Sequence, residues 1–147
     1  MAGWNNAAEW KLGEDGYYVK KDDRQSVYRT SSGTFSFTTP CTPKTFKNLL
    51  SRGDCKVRLF LTGGPSGDLR FEITDARIRR QRDGQPDAST SFPKIADQMT
   101  IQVRVTSERA TVSINGKLAD SVDGDYTKGR FGINSVSMLK DFRYSAN

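Results

Sequence analysis

Along most of this chain, apolar and polar residues alternate with a period of two. In "CKVRLFLT" Cys55, Val57, Leu59 and Leu61 share one side, and Lys56, Arg58 and Phe60 share the other. "DLRFEIT" sets Leu69, Phe71 and Ile73 against Arg70, Glu72 and Thr74, and "MTIQVRVT" sets Met99, Ile101, Val103 and Val105 against Thr100, Gln102 and Arg104. "RATVSING" continues with Ala110, Val112 and Ile114 inward. Successive side chains of a strand point to opposite faces, so this pattern predicts half-buried antiparallel strands. Shorter runs, "GYYVK", "QSVYRT", "TFSFTT", "GRFGIN" and "LKDFRYS", read the same way, as does "TDARIRRQR", for which a helix is the alternative.

The breaks between these runs carry turn chemistry. Residues 62–68, "TGGPSGD", are a turn; 82–93, "RDGQPDASTSFP", read as a long surface loop; and "TSER" is a tight connection. Within "ATVSINGKLADSV", the Asn115-Gly116 pair predicts a hairpin, because both central positions of its turn take positive φ. Only residues 43–53, "PKTFKNLLSRG", have helical spacing, with Phe46, Leu49 and Leu50 on one side and Gly53 as a stop. The expectation is an all-β, two-sheet antiparallel jelly-roll sandwich with one short helix, built as a single domain over 1–147.

Composition narrows the chemistry. The 147 residues contain no histidine, which excludes Ser-His-Asp and Cys-His catalysis and His-ligated zinc. Two cysteines, Cys41 and Cys55, are too few for a four-ligand metal site; one disulfide and two buried thiols both remain open. The acidic run around Asp120, Asp123 and Asp125 has no EF-hand spacing and reads as a solvated turn, so no metal or other cofactor is expected. "GRFGIN" has no helix after it to aim amides at a phosphate, which argues against a nucleotide loop. No apolar run of membrane-spanning length occurs, and the first residues lack the apolar stretch of a signal peptide; a mature secreted domain is compatible with this.

The net charge is +6, a field that favours anionic partners. There is no basic helix or paired nucleobase-stacking motif, and the charge is spread, so nucleic acid is not the expected partner. Side by side, the alternating strands would gather Lys56 with Arg58, Arg70 with Glu72, Arg77 with Arg79, and Gln102 with Arg104 on one polar face. Planar guanidiniums with a carboxylate among them suit the hydroxyl and carboxylate groups of sugars. A solvated face of cross-strand ion pairs is the plainer reading. Among the aromatics, Phe35, Phe37, Phe71, Phe131 and Phe142 fall at core positions. Trp4, Trp10, Tyr17, Tyr18 and Tyr126 are amphipathic and suit either a sugar-stacking platform or core or edge packing.

Taken in order, "EWKLGEDGYYV", "LRFEI", the strand–Asn-Gly–strand–G-x-x-G run to "GRFGIN", and the closing "LKDFRYS" resemble the concanavalin A-like lectin/glucanase superfamily. The ending is similar to laminin G-like and keto-glycoside hydrolase-like domains. The resemblance implies two curved sheets with a concave face that often binds carbohydrate. The paired-carboxylate strand of laminarinase-like hydrolases is missing, since Glu72 and Asp75 are wrongly spaced, and so is a legume-lectin calcium set. "DYTKGRFGIN" also resembles the Y-x-K-x-G strand of jelly-roll alginate lyases; that implies Tyr126 as proton donor or base, with Lys128, and Arg70 from "DLRFEI". The Gln-x-His motif of those lyases has no counterpart. The chain is therefore expected to be a lectin-like carbohydrate-binding module, with anionic glycans among its ligands, that uses a concave Arg-rich sheet face with ligand-binding residues Arg58, Arg70, Glu72, Arg77, Arg79, Gln102 and Arg104. The alternative is a small lyase, hydrolase or isomerase using Tyr126, Glu72 and Arg70 on the same face.

Overall fold

A computed structural model describes residues 1–22, 24–41, 56–136 and 138–147. The helix expected over 43–53 and the second cysteine, Cys55, lie outside the described residues. Two antiparallel sheets face each other, as the alternation requires. Their strands, in chain order, are β1 (Lys11–Leu12), β2 (Tyr18–Val19), β3 (Ser26–Val27), β4 (Gly33–Pro40), β5 (Lys56–Gly64), β6 (Gly67–Thr74) and β7 (Arg77–Arg82). They continue as β8 (Ala88–Ser91), β9 (Gln98–Val105), β10 (Arg109–Ile114), β11 (Lys117–Asp123), β12 (Arg130–Asn134) and β13 (Met138–Ser145). One sheet has seven strands in the order β1-β2-β13-β4-β9-β10-β11; the other has six, β3-β12-β5-β6-β7-β8.

The alternating apolar residues meet between the sheets. Val57, Leu59, Leu61, Leu69, Phe71, Ile73, Ile78, Phe131 and Ile133 come from the six-stranded sheet; Phe35, Phe37, Met99, Ile101, Val103, Val105, Val112 and Leu139 come from the seven-stranded one. Phe35 and Phe131 stack across the gap, with ring centroids 4.3 Å apart and planes 23° from parallel. Removing a phenyl ring of this kind typically costs about 3–5 kcal/mol, because transfer and cavity terms add.

The N-terminal segment closes one end of this core. Trp4 is buried and packs its ring against Tyr28 at 5.3 Å and Phe142 at 5.0 Å. Trp10 and Tyr17 are also buried, so none of these three is an open platform. Lys20 is buried too. Its ammonium donates to Asp22 Oδ1 at 2.7 Å and to the carbonyls of Asp22 at 2.8 Å and Arg24 at 3.0 Å, and it lies 5.6 Å from the Trp10 ring. Three acceptors and an aromatic face balance its desolvation.

The Asn115-Gly116 turn has φ of 50° and 82°, as a two-residue hairpin of this hand needs, and joins β10 to β11. "TDARIRRQR" forms strand β7. One loop expectation is corrected: the stretch 82–93 contains edge strand β8, whose "ASTS" lacks apolar alternation because an edge strand gets its hydrogen bonds from one side and buries little.

Candidate functional site

The outer face of the six-stranded sheet is set by residues that alternate with its core positions. Register places them in rows. One row runs Asn134 (β12), Arg58 (β5), Glu72 (β6) and Arg79 (β7); the next runs Gly132, Phe60, Arg70 and Gln81 on the same four strands. Directly opposed side chains on neighbouring strands stand about 4.5–5.5 Å apart at Cβ, so each row is a continuous surface. A depression of about 310 Å3 opens on it, lined among others by Gln25, Arg58, Phe60, Thr62, Arg70 and Glu72. That is at the small end of the roughly 300–1,000 Å3 typical of ligand sites.

Glu72 is the charge at the centre of the first row. Its Oε2 accepts from Arg58 Nε at 3.3 Å and lies 3.7 Å from Arg79 Nη2. The carboxylate is largely covered, whereas both guanidiniums remain partly in water. Glu72 thus holds two cations in place, and a carboxylate gripped on one oxygen keeps its other oxygen as an acceptor for a ligand hydroxyl. Arg79 Nε is buried without a hydrogen-bond partner among the described residues.

Phe60 dominates the second row. It is the apolar exception on the outward side of β5, and glycine makes its position possible. A Cβ built on Gly132 would come within 2.0 Å of Phe60 Cζ and 2.1 Å of Cε2. The second glycine of "GRFGIN" therefore serves neither a turn nor a phosphate loop; it leaves space for an aromatic ring on the open face.

Of the residues singled out from the sequence, Arg58, Arg70 and Glu72 meet at the depression. Arg77 and Arg79 share the face but do not line it. Gln102 and Arg104 are corrected: they are on β9 of the seven-stranded sheet, alternate with buried Ile101, Val103 and Val105, and face solvent on the opposite side of the sandwich. Alternation tells which way a side chain points from its own core, not which sheet carries the strand.

Tyr126 is also displaced from the expected constellation. It is 1 % exposed, belongs to the core cluster, and its carbonyl accepts from Ser31 Oγ at 2.7 Å. It does not stand with Glu72 and Arg70. Lys128 nearby is exposed in a left-handed conformation, φ 66°. Beside it, hydrogen bonds from the Thr127 hydroxyl and backbone amide hold the Asp125 carboxyl below the usual carboxylate range. The loop is shaped by local bonds rather than aimed at the depression.

Sequence reasoning passed over Phe60, Asn134, Gln81, Gln25 and Thr62. The signal for Phe60 was present, an aromatic out of phase with its strand's core side. Asn134 and Gln25 reach the depression through strand order alone: β12 pairs with β5, and β3, which Gln25 immediately precedes, pairs with the far side of β12.

Several solved structures share this architecture. Sheep galectin-11 superposes with a TM-score of 0.56 at 11% identity, over 83% of this chain and 98% of its own. The Caenorhabditis elegans galectin LEC-6 gives 0.56 at 12% identity, over 92% and 99%. The polysaccharide lyase family-7 alginate lyase A1-II' gives 0.51 at 15% identity, over 95% and 84%. These likenesses establish a concanavalin A-like jelly-roll fold. No family model matches the chain, and no curated protein matches it in sequence.

Proposed function

We propose that the chain is a carbohydrate-binding, lectin-like module whose ligand occupies the depression on the outer face of the six-stranded sheet. The observation that carries this reading is the Phe60 ring held over Gly132 beside a carboxylate fixed by two guanidiniums. A pyranose has an apolar C–H face and a rim of hydroxyls. Phe60 offers a ring for the first, and Glu72, Arg58 and Asn134 offer directed acceptors and donors for the second. The likeness to galectins supports the same reading, and the basic residues around the depression favour an anionic glycan over a neutral one.

An enzyme on this face is the second reading, favoured by the likeness to an alginate lyase. It would have to move protons with Glu72, the one carboxylate lining the depression among the described residues, since Tyr126 is in the core. Calorimetric titration with neutral and acidic oligosaccharides tests the binding reading, with Phe60→Ala as the control variant. Saturable heat that Phe60→Ala abolishes supports it; no heat with any oligosaccharide overturns it. Ultraviolet-absorbing unsaturated product from a uronate polymer, lost in Glu72→Gln, would replace it with the enzyme reading.

A further inference from the structure

The two rows of the candidate site differ in their charge bookkeeping. In the first, Arg58 and Arg79 both lie against Glu72. In the second, Arg70 is exposed, lines the depression, and makes no ion pair or side-chain hydrogen bond with any described residue. Its cross-strand neighbours are Phe60 on β5 and Gln81 on β7, neither of them charged. The loop after β7 carries two carboxylates, Asp83 and Asp87; neither is ion-paired with Arg70, and Asp87 Oδ2 accepts from Gln81 Nε2 at 3.4 Å. An unpaired guanidinium therefore stands directly beside the apolar ring, in the same row of the sheet.

We propose that Arg70 is the anion-reading element of the site and receives the carboxylate of a uronate residue whose ring lies over Phe60. This rests on the carbohydrate reading above and specifies its ligand. A pyranose carries its exocyclic carboxylate at the ring's edge, so a ring seated on Phe60 presents that group to the neighbouring position. There Arg70 has a planar fork of donors that matches two carboxylate oxygens. The division of labour follows from pairing. Glu72 already engages both guanidiniums of its own row, so although that row keeps a net charge of +1, its donors are partly committed to an internal carboxylate and it is suited to hydroxyls. Arg70 is left with its charge unpaired among the described residues, open to an oxyanion. A sulfate ester shares part of this chemistry but is tetrahedral, and it does not offer the flat two-oxygen edge that the fork fits best.

The test compares the wild type, Arg70→Gln and Arg70→Lys on one panel of immobilised neutral, uronate-bearing and sulfated oligosaccharides, with thermal unfolding to confirm that the exposed substitutions leave the fold intact. The wild type is expected to retain uronate-bearing members preferentially. Arg70→Gln should lose at least ~10-fold of that signal, and its binding should become less sensitive to salt. Arg70→Lys should recover only part, because it keeps the charge without the fork. Neutral or sulfated members ranking first with the wild type, or a uronate preference that survives in Arg70→Gln, would overturn the subsite while leaving carbohydrate binding standing. No binding to any member by the wild type would remove the carbohydrate reading and this assignment together.

Discussion

The Phe60 ring occupies the space that any side chain at Gly132 would need: a Cβ there would come 2.0 Å from Cζ. The ring is the far end of a partly exposed side chain on an outer face, so it can swing away without disturbing the core. Gly132→Ala is therefore a probe of the site rather than of the fold. We expect its melting temperature to stay near that of the wild type, while glycan affinity falls at least ~10-fold, or about 1.4 kcal/mol. Paired calorimetry of unfolding and binding checks this. A large loss of stability with affinity retained would refute it.

Glu72→Gln separates positioning from stability. Arg58 and Arg79 are too exposed for their ion pairs to matter much to folding, and such surface pairs are worth roughly 0–1 kcal/mol. Without the carboxylate, however, two guanidiniums face each other uncompensated and the hydroxyl acceptor loses its charge. Urea unfolding should show a change within about 1 kcal/mol. Titration of the same variant should show ligand binding largely lost.

A third relationship ties the two sheets together at their open flank. Arg80 lies on the inward side of β7, opposite Phe71, and its Nη1 reaches Asp120 Oδ1 at 3.4 Å and the Ser121 carbonyl at 3.2 Å on β11. Both side chains are mostly covered, with 23% and 16% exposure. A double-mutant cycle of Arg80→Met and Asp120→Asn should give a stabilising coupling of about 1 kcal/mol in urea unfolding. Strict additivity would show that the contact holds nothing.

Lys20 anchors the loop that leads into Gln25 at the rim of the depression. Lys20→Met would remove the donor shared by the Asp22 carboxylate and the Asp22 and Arg24 carbonyls, and the expected result is a loss of stability moderated by water reaching those partly open acceptors. Thermal or urea denaturation measures that loss directly, and an unchanged midpoint would count against the anchoring role.

The same anchor predicts an acid response. The hydrogen bond from Lys20, with help from the Arg24 amide, holds the Asp22 carboxyl below its ordinary value of 3.8. A folded-state value below the unfolded one contributes stability that is present above the ordinary carboxylate range and is lost as pH falls through the folded value. In acid titrations monitored by unfolding, Asp22→Asn should be less stable than the wild type at neutral pH. The gap between them should close below about pH 4.

How much of this was legible beforehand depends on the range of the physics involved. Alternation in "KVRLFLT", "DLRFEIT" and "TIQVRVT" is a local property, and it correctly separated core from outer face on each strand. Asn115-Gly116 likewise sets its own turn. Edge strand β8 escaped because "ASTS" buries almost nothing, and local sequence registers an edge strand only through what it buries. Tyr126 reads as a candidate for stacking or proton transfer because its neighbours are polar and glycine-rich, yet Gly64 and Gly124 allow the chain to close tightly around it: Cβ atoms built on them would approach its Cα and ring to 2.9 Å.

By itself, then, the sequence determined an all-β sandwich, the inward and outward sides of its main strands, and the absence of any histidine-based chemistry. Hydrophobic period and composition suffice for these, since each depends on a residue and its near neighbours. Only the tertiary structure decided which outward residues share a face. It sent Gln102 and Arg104 to one sheet and Arg58, Arg70 and Glu72 to the other, set Phe60 over Gly132, and left Arg70 without an ion-pair partner among the described residues. Strand order and register produce those relationships. They are fixed by long-range pairing between strands far apart in the chain, which no local pattern encodes.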